Sequence, residues 1–473
     1  MLIFESYVKL GCRPVDGGLD VACKLLRRVF LESITSLSWP EHSRFSAEIY
    51  ISPEIYISVL TKLPKLECLN VTRVDVINIF STVSTLTGLR TLTMGECLSM
   101  KDISPLSTMT GLRTLTMGDC WHVTDISPLS MLTGIRTLTM GKCTNVTDIS
   151  SLSTLTCLQR LDMEKCTNVT DISSLSTLTG LQMLGMGNCS NVVDISILST
   201  LTGLQMLDMG DCSKVTDISI LSALTGLRML DMDDCYGVTH ISSILSTLTG
   251  LQKLNLNGCY CLSDISISAL STLTGLHSLN IGESSYAVYD ISPLSTLTGL
   301  QSLNMCACSV TDISPLSTLT CLRLVNMEGC ENLCDITPLS TLTCLEELDM
   351  EGCENLCDIT PLSTLTCLRL LNMKGCYDVI DISPLSTLTC LRLLNMMRCE
   401  DVIDITPLST LTCLEELNMK ECYDVIDISP LSTLTCLRLL NMEGCNDAID
   451  ISPLSTLTRL RLFRGVEWSG FSK

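Results

Sequence analysis

Apolar and polar letters fall in one frame that repeats almost every 23 residues from Asp102 to Asp450. In the stretch 112–120, LRTLTMGDC, apolar residues take the first, fourth and sixth positions and a cysteine takes the ninth. So short a period-two segment predicts a single strand that turns at its end. One such strand cannot bury its apolar side alone. Stacking the next unit beside it, at about 4.8 Å per rung, builds a parallel sheet over a shared core.

The other half of each unit, DISPLSTLTG, has to return the chain along the opposite side. Ser-Pro pairs such as Ser104-Pro105, Ser127-Pro128 and Ser383-Pro384 place a candidate N-cap Ser before a residue preset for the first helical position. Ten of the 14 prolines stand in this slot. About five residues remain before the next strand segment, which predicts a single 3-10 turn rather than an α-helix. The aspartate of the phrase recurs at steps of 23 from Asp102 to Asp217, and again from Asp312 to Asp450. Irregular steps lie between, so two regular blocks are expected to meet at a joint near residues 277–310.

The strand segment, with its Cys at the ninth position and short outer turn, resembles the leucine-rich repeat pattern L-x-x-L-x-L-x-x-N/C-x-L. The resemblance covers roughly residues 60–464, with 17 strands from Leu66 to Leu437 and a partial one at Leu460. It implies an α/β solenoid: a leucine-rich repeat horseshoe with a parallel sheet on the concave face and short 3-10 turns on the convex face. DISPLSTLT is similar to the outer turn of bacterial internalins, and the ninth-position Cys to the cysteine-containing repeats of F-box substrate receptors. The combination resembles the leucine-rich repeat proteins of trypanosomes, including those linked to surface-antigen expression sites. That group includes a protein with an N-terminal RING domain, but residues 1–88 here hold only Cys12, Cys23 and Cys68, too few for one.

Residues 1–60 are not repeats and read as an N-terminal cap, part helical between Leu19 and Phe30 and feeding a first strand near Leu37. Residues 61–464 form the array of about 17 units, and residues 465–473 a short tail. All six phenylalanines lie near the two ends, which suits caps that cover an exposed rung.

The formal charge of −21 falls entirely in residues 89–473, because residues 1–88 carry nine basic and nine acidic side chains. With no basic stripe to displace counterions, nucleic acid is not the expected partner. Glu5 and Lys9 interrupt what would be the apolar core of a leader, and no apolar run reaches the ~18 residues that span a bilayer. No membrane role is therefore expected. The 29 cysteines are odd in number and evenly spread, unlike a compact disulfide framework. These features together predict an intracellular protein, cytoplasmic or nuclear, with reduced thiols.

Several columns invite chemistry. Fifteen cysteines from Cys97 to Cys445 hold the ninth strand position, and each reads as a small buried residue whose thiol donates to a neighbouring turn. A second column, Cys157, Cys321, Cys344, Cys367, Cys390, Cys413 and Cys436, precedes the strand where other units have Gly. Rungs about 5 Å apart lie within the Cα range of a disulfide, yet parallel side chains argue against bridging. CENLC at Cys330–Cys334 and Cys353–Cys357 has zinc-like spacing, but Cys330 and Cys353 already belong to the first column. The methionines of the sixth strand position, from Met94 to Met442, read as core, not as a copper stripe. The Asp column reads as turn capping rather than a calcium array. No nucleotide, hydrolase or metalloprotease motif occurs, and His240, in place of a turn Asp, reads as a repeat variant. Four sequons, at Asn70, Asn145, Asn168 and Asn188, would matter only in a secreted chain. A non-enzyme without a cofactor is expected.

The remaining candidate is the inner face, where the second, third and fifth strand positions project. The third position is apolar at Met183, Met206 and Met229, then at Leu324, Leu370, Leu393 and Leu439. The fifth is Asp or Asn on most rungs, including Asp208, Asp231, Asn372 and Asn395. Glu346 and Glu415 alternate with Arg369, Arg392 and Arg438 at the second, and such rungs either meet a partner or pair with each other at about 0–1 kcal/mol per pair. Apolar side chains beside polar ones resemble an interface centre and rim. The expected function is a protein–protein interaction scaffold whose concave face holds a partner offering basic and apolar contacts. Substrate recognition for a ubiquitin ligase and a host-contacting adhesin are the alternatives.

Overall fold

The computed structural model describes residues 36–38, 65–71, 86–95, 100–238, 241–260, 267–283, 288–445 and 450–463. The expected N-terminal helix, the tail, Cys97 and His240 lie outside these residues.

The chain forms two compact units, Met1–Val215 and Thr216–Lys473. In the first, three-residue strands run from Ser36–Ser38 and Cys68–Asn70 to Met206–Asp208, each pairing parallel with the next, residue for residue. Ser36–Ser38 is the initial strand expected near Leu37. The second unit repeats the scheme from Met229–Asp231 to Arg461–Phe463. The expected joint does not interrupt it. Ser278–Asn280 pairs residue for residue with both Lys253–Asn255 and Ser302–Asn304. The irregular spacing is taken up between strands, and one such unit carries a short α-helical turn, Ser242–Leu245, in place of the 3-10 form.

Each unit of repeat closes around one apolar column per buried position. In the repeat beginning at Leu112, the side chains of Leu112, Leu115, Met117, Cys120, Val123, Ile126 and Leu129 are all withdrawn from water. The sixth-position methionines and the described ninth-position cysteines are thus core, as their spacing predicts.

On the side opposite the strands, Ser127–Met131 forms one 3-10 turn with Leu129 N–H bonded to Ile126 O at 3.0 Å. Proline suits this place because its missing N–H would be unpaired there anyway. The Asp column caps these turns as expected, whereas the serine expected as N-cap does not. Ser127 is already inside the turn, and Asp125 Oδ1, two residues earlier, accepts its N–H at 2.8 Å. The same bond recurs at Ser150, Ser173, Thr337 and Ser383. A carboxylate reaches forward to an N–H two residues on, which a serine hydroxyl inside the turn cannot do. Threonine hydroxyls then tie unit to unit, as where Thr387 Oγ1 donates to Ser363 O at 2.8 Å.

The strand end reverses through a left-handed residue at the eighth position. Gly329, Gly352 and Gly375 have φ of +70°, while Asp119, Lys142 and Ala307 adopt 59°, 60° and 53° without being glycine. Side chains cost about 1 kcal/mol or more there.

Candidate functional site

Strand-face residues fall into three classes. Fifth-position residues belong to the backbone. Asp162, Asp208, Asp231, Asn326, Asp349 and Asn395 each accept, through Oδ1, the N–H two residues on, at 2.8–3.1 Å. Asn372 and Asn395 are buried, as is Asn418. Asn372 also donates from Nδ2 to Glu351 Oε2 at 3.1 Å, and Lys374 covers the same carboxylate. These two asparagines therefore present no free surface to a partner, contrary to the sequence reading. Asp208 and Asp231 are half-buried and bonded likewise, and Asp231 Oδ1 additionally accepts from Asn255 Nδ2 at 3.0 Å. Burial pushes the Asp349 carboxyl up to about 6, against the pull of the Glu351 N–H.

Second-position charges pair with one another. Arg323 Nη1 lies 2.6 Å and Arg369 Nη1 3.4 Å from the two oxygens of Glu346. Arg392 and Arg438 flank Glu415 in the same way, at 3.6 and 3.1 Å. In the first unit the row instead bonds backbone, with Arg113 Nη1 donating to Gly134 O at 2.6 Å.

Third-position side chains are what remains free. Met183 and Met206 stand on adjacent strands, Met206 being 37% exposed. Met229, in the second unit, is half-buried beside Lys253. Leu370 and Leu393 pair directly and are half-buried, with Glu347 on the strand before and Glu416 on the strand after. Leu324 neighbours Ser302 and Glu347, and Leu439 neighbours Glu416 and Arg461.

One exposed feature escaped the sequence reading. Ile380, Ile403 and Ile426, each just before a turn aspartate, are 63%, 60% and 65% exposed. The available signal was the change from Thr124, Thr147 and Thr170 to isoleucine in that slot.

The cysteines separate into two kinds. Ninth-position thiols are buried and donate to the carbonyl of the preceding unit's sixth residue, as in Cys212 to Met186 O at 3.2 Å and Cys376 to Met350 O at 3.3 Å. Burial pushes Cys212 and Cys376 up to about 12. The pre-strand column is exposed throughout, as are Cys334 and Cys357. The four CENLC thiols therefore do not converge, since Cys330 and Cys353 point into the core. Among the described residues no three metal-ligating side chains gather, and no helix is long and apolar enough to cross a membrane.

These features match known folds. The fold is a leucine-rich repeat solenoid. A Leptospira interrogans leucine-rich repeat protein aligns over 96% of this chain and 100% of its own, with a TM-score of 0.53 and 14% identity. An internalin, inlF of Listeria monocytogenes, aligns over 82% of this chain and 88% of its own, at 26% identity and a TM-score of 0.44. The functional domain of InlJ from the same organism, which includes a cysteine ladder, aligns over 72% and 74%, at 21% identity and a TM-score of 0.44. No family model and no curated protein matches the sequence.

Proposed function

We propose that the chain is a non-enzymatic interaction scaffold that holds a protein partner on its strand face. The observation that carries this reading is the Leu370–Leu393 pair, partly exposed and bracketed by Glu347 and Glu416. The neighbouring arginines already have carboxylate partners in Glu346 and Glu415, so the free elements of this patch are apolar and acidic. An apolar side chain flanked by Lys or Arg on a partner complements it. Met183 and Met206 form the corresponding apolar element of the first unit, adaptable because methionine is flexible. The reading includes an intracellular setting with reduced thiols, and kinship with the trypanosome expression-site proteins.

The test is affinity capture from the native cell with wild type and with Met206→Lys/Leu370→Lys/Leu393→Lys as baits. Lys253 and Arg160 occupy the same strand position naturally, so the variant should fold. Loss of a partner from the variant supports the strand face. A parallel bait, Ile380→Thr/Ile403→Thr/Ile426→Thr, uses the residue other units carry there. If only this second bait loses the partner, the strand-face reading fails and the turn side is the site.

A further inference from the structure

The exposed pre-strand cysteines of the second unit have no part in the fold or in the patch just described. Cys321, Cys344, Cys367, Cys390, Cys413 and Cys436 each stand three residues ahead of a strand whose first residue pairs in register with the next, from Leu324 through Glu347, Leu370, Leu393 and Glu416 to Leu439. Equivalent atoms on such rungs repeat at the strand spacing, about 4.8 Å. Side chains in one rotamer therefore place their sulfurs about 5 Å apart, whatever that rotamer is.

The direction of the side chains is visible at the glycines that fill the same slot elsewhere. A Cβ on Gly299 would sit 3.8 Å from Leu276 O and 3.9 Å from Thr274 O of the preceding unit, and one on Gly203 at 3.6 Å from Thr179 O. The glycines of the column thus direct an added Cβ at the preceding unit, with ordinary contacts at Gly180, Gly203, Gly250, Gly275 and Gly299, whereas at Gly134 the Arg113 guanidinium fills the space. Parallel thiols at this spacing do not close to the ~2.05 Å of a disulfide. Nor do they supply the four converging ligands of zinc. Two metal–sulfur bonds of about 2.3 Å laid end to end, however, span about 4.6 Å. That falls about 0.2–0.4 Å short of the ladder spacing, a difference that small side-chain rotations close.

We propose that these six cysteines form a row of two-coordinate sites for a soft monovalent ion, copper(I), each ion bridging thiolates on adjacent rungs. Thiolate ligands select copper(I) over hard cations. Two thiols lose two protons as two copper–sulfur bonds form, leaving one negative charge per bridge and requiring no oxidant or reductant. The buried ninth-position thiols are excluded, because each is spent on a carbonyl and held protonated. Cys157 has glycines, Gly134 and Gly180, in the slots on either side and lacks an adjacent partner in this column.

The experiment uses the full reduced chain carrying Cys334→Thr/Cys357→Thr, which removes, among the described residues, the one other pair of exposed cysteines on neighbouring rungs. Copper(I) is titrated without air against a chromophoric chelator. Two triple variants remove the same number of thiols. Cys344→Gly/Cys390→Gly/Cys436→Gly leaves Cys321, Cys367 and Cys413 two rungs apart, and Cys321→Gly/Cys344→Gly/Cys367→Gly leaves three contiguous rungs. Glycine is native to this slot, and the corresponding Ser variants repeat the comparison should either fail to fold. The expected result is three ions withheld from the chelator by the parent, one by the contiguous variant and none by the alternate variant. X-ray absorption should show two sulfur neighbours per copper. Equal binding by the two triple variants, or no binding by the parent, overturns the proposal.

Discussion

The thiol of Cys143 donates to the carbonyl oxygen of Met117, 26 residues earlier, at 3.3 Å. The bond joins consecutive repeats inside the core, and its counterparts run through both units. Its place in the core decides how these cysteines behave. A buried donor whose acceptor is a backbone carbonyl cannot ionise without leaving that carbonyl unpaired. In the native protein, a thiol reagent at pH 8 should label Cys157, Cys321, Cys334, Cys344, Cys357, Cys367, Cys390, Cys413 and Cys436, which are exposed among the described residues, before any described ninth-position cysteine. Mass spectrometry of the labelled peptides reads the order. Early labelling of Cys212 or Cys376 would contradict it.

The same burial gives an alkaline limit to stability. An unfolded thiol ionises from about 8.5, whereas Cys212, Cys376 and Cys422 are pushed up to about 12 in the fold. Between these values the unfolded chain binds fewer protons than the native one, so stability falls as pH rises from about 9. Urea midpoints at pH 8, 9.5 and 10.5 should decrease in that order.

Two glycine columns with similar letters should respond oppositely to alanine. Gly352 has φ +70°, where a Cβ is strained. Gly203 has no such constraint, and an added Cβ meets only ordinary contacts at 3.6 and 3.7 Å. Gly352→Ala is expected to lower stability by about 1 kcal/mol, and Gly203→Ala to be neutral or slightly stabilising by restricting the unfolded chain. Equilibrium urea unfolding of the two variants checks the contrast.

Much of this was legible because period and letter agree. Leucines at fixed spacing announce a stacked core, and a Ser-Pro pair announces a turn that starts. What misled was the fifth strand position. A polar residue on a strand face reads as solvent-facing, and nothing in its name says that it bends back to bond an N–H two residues on. The clue was the choice of Asp and Asn, the short acceptors that make this turn, over Glu, Gln or Lys. It is the signature that had already identified the Asp column of the outer turns. The pairing of Glu346 with Arg323 and Arg369 was harder to read, because alternate charges on a ladder serve a partner or each other equally well.

Acid should loosen the outer turns. Backbone N–H groups hold Asp102, Asp125, Asp148, Asp171 and Asp194 below the usual carboxylate range. A depressed carboxylate contributes stability that is fully present above its unfolded value near 4 and is lost as pH falls through the lower native value. Urea midpoints should therefore drop between pH 4 and pH 2.5. Asp125→Asn/Asp148→Asn/Asp171→Asn keeps the acceptor oxygens without the charges, and should flatten that part of the profile. An unchanged slope in the variant would mean that other carboxylates control acid unfolding.

Asp349 predicts the opposite sign in a different pH window. Its carboxyl is pushed up to about 6 by burial, although its Oδ1 accepts the Glu351 N–H at 2.9 Å. A carboxyl whose native value lies above its unfolded one contributes stability that is intact below about pH 4 and is lost as pH rises through 6. The adjoining strands carry Asn326 and Asn372 in register with it, which accept the corresponding N–H groups of Glu328 and Lys374 without charge. Asp349→Asn should thus leave stability nearly unchanged at pH 4 and raise it at pH 8, by something of order 1–3 kcal/mol. Urea unfolding at the two pH values measures the difference. A variant less stable than wild type at pH 8 would show that the Asp349 charge is compensated by Asn372 or Lys374 rather than suffering from burial.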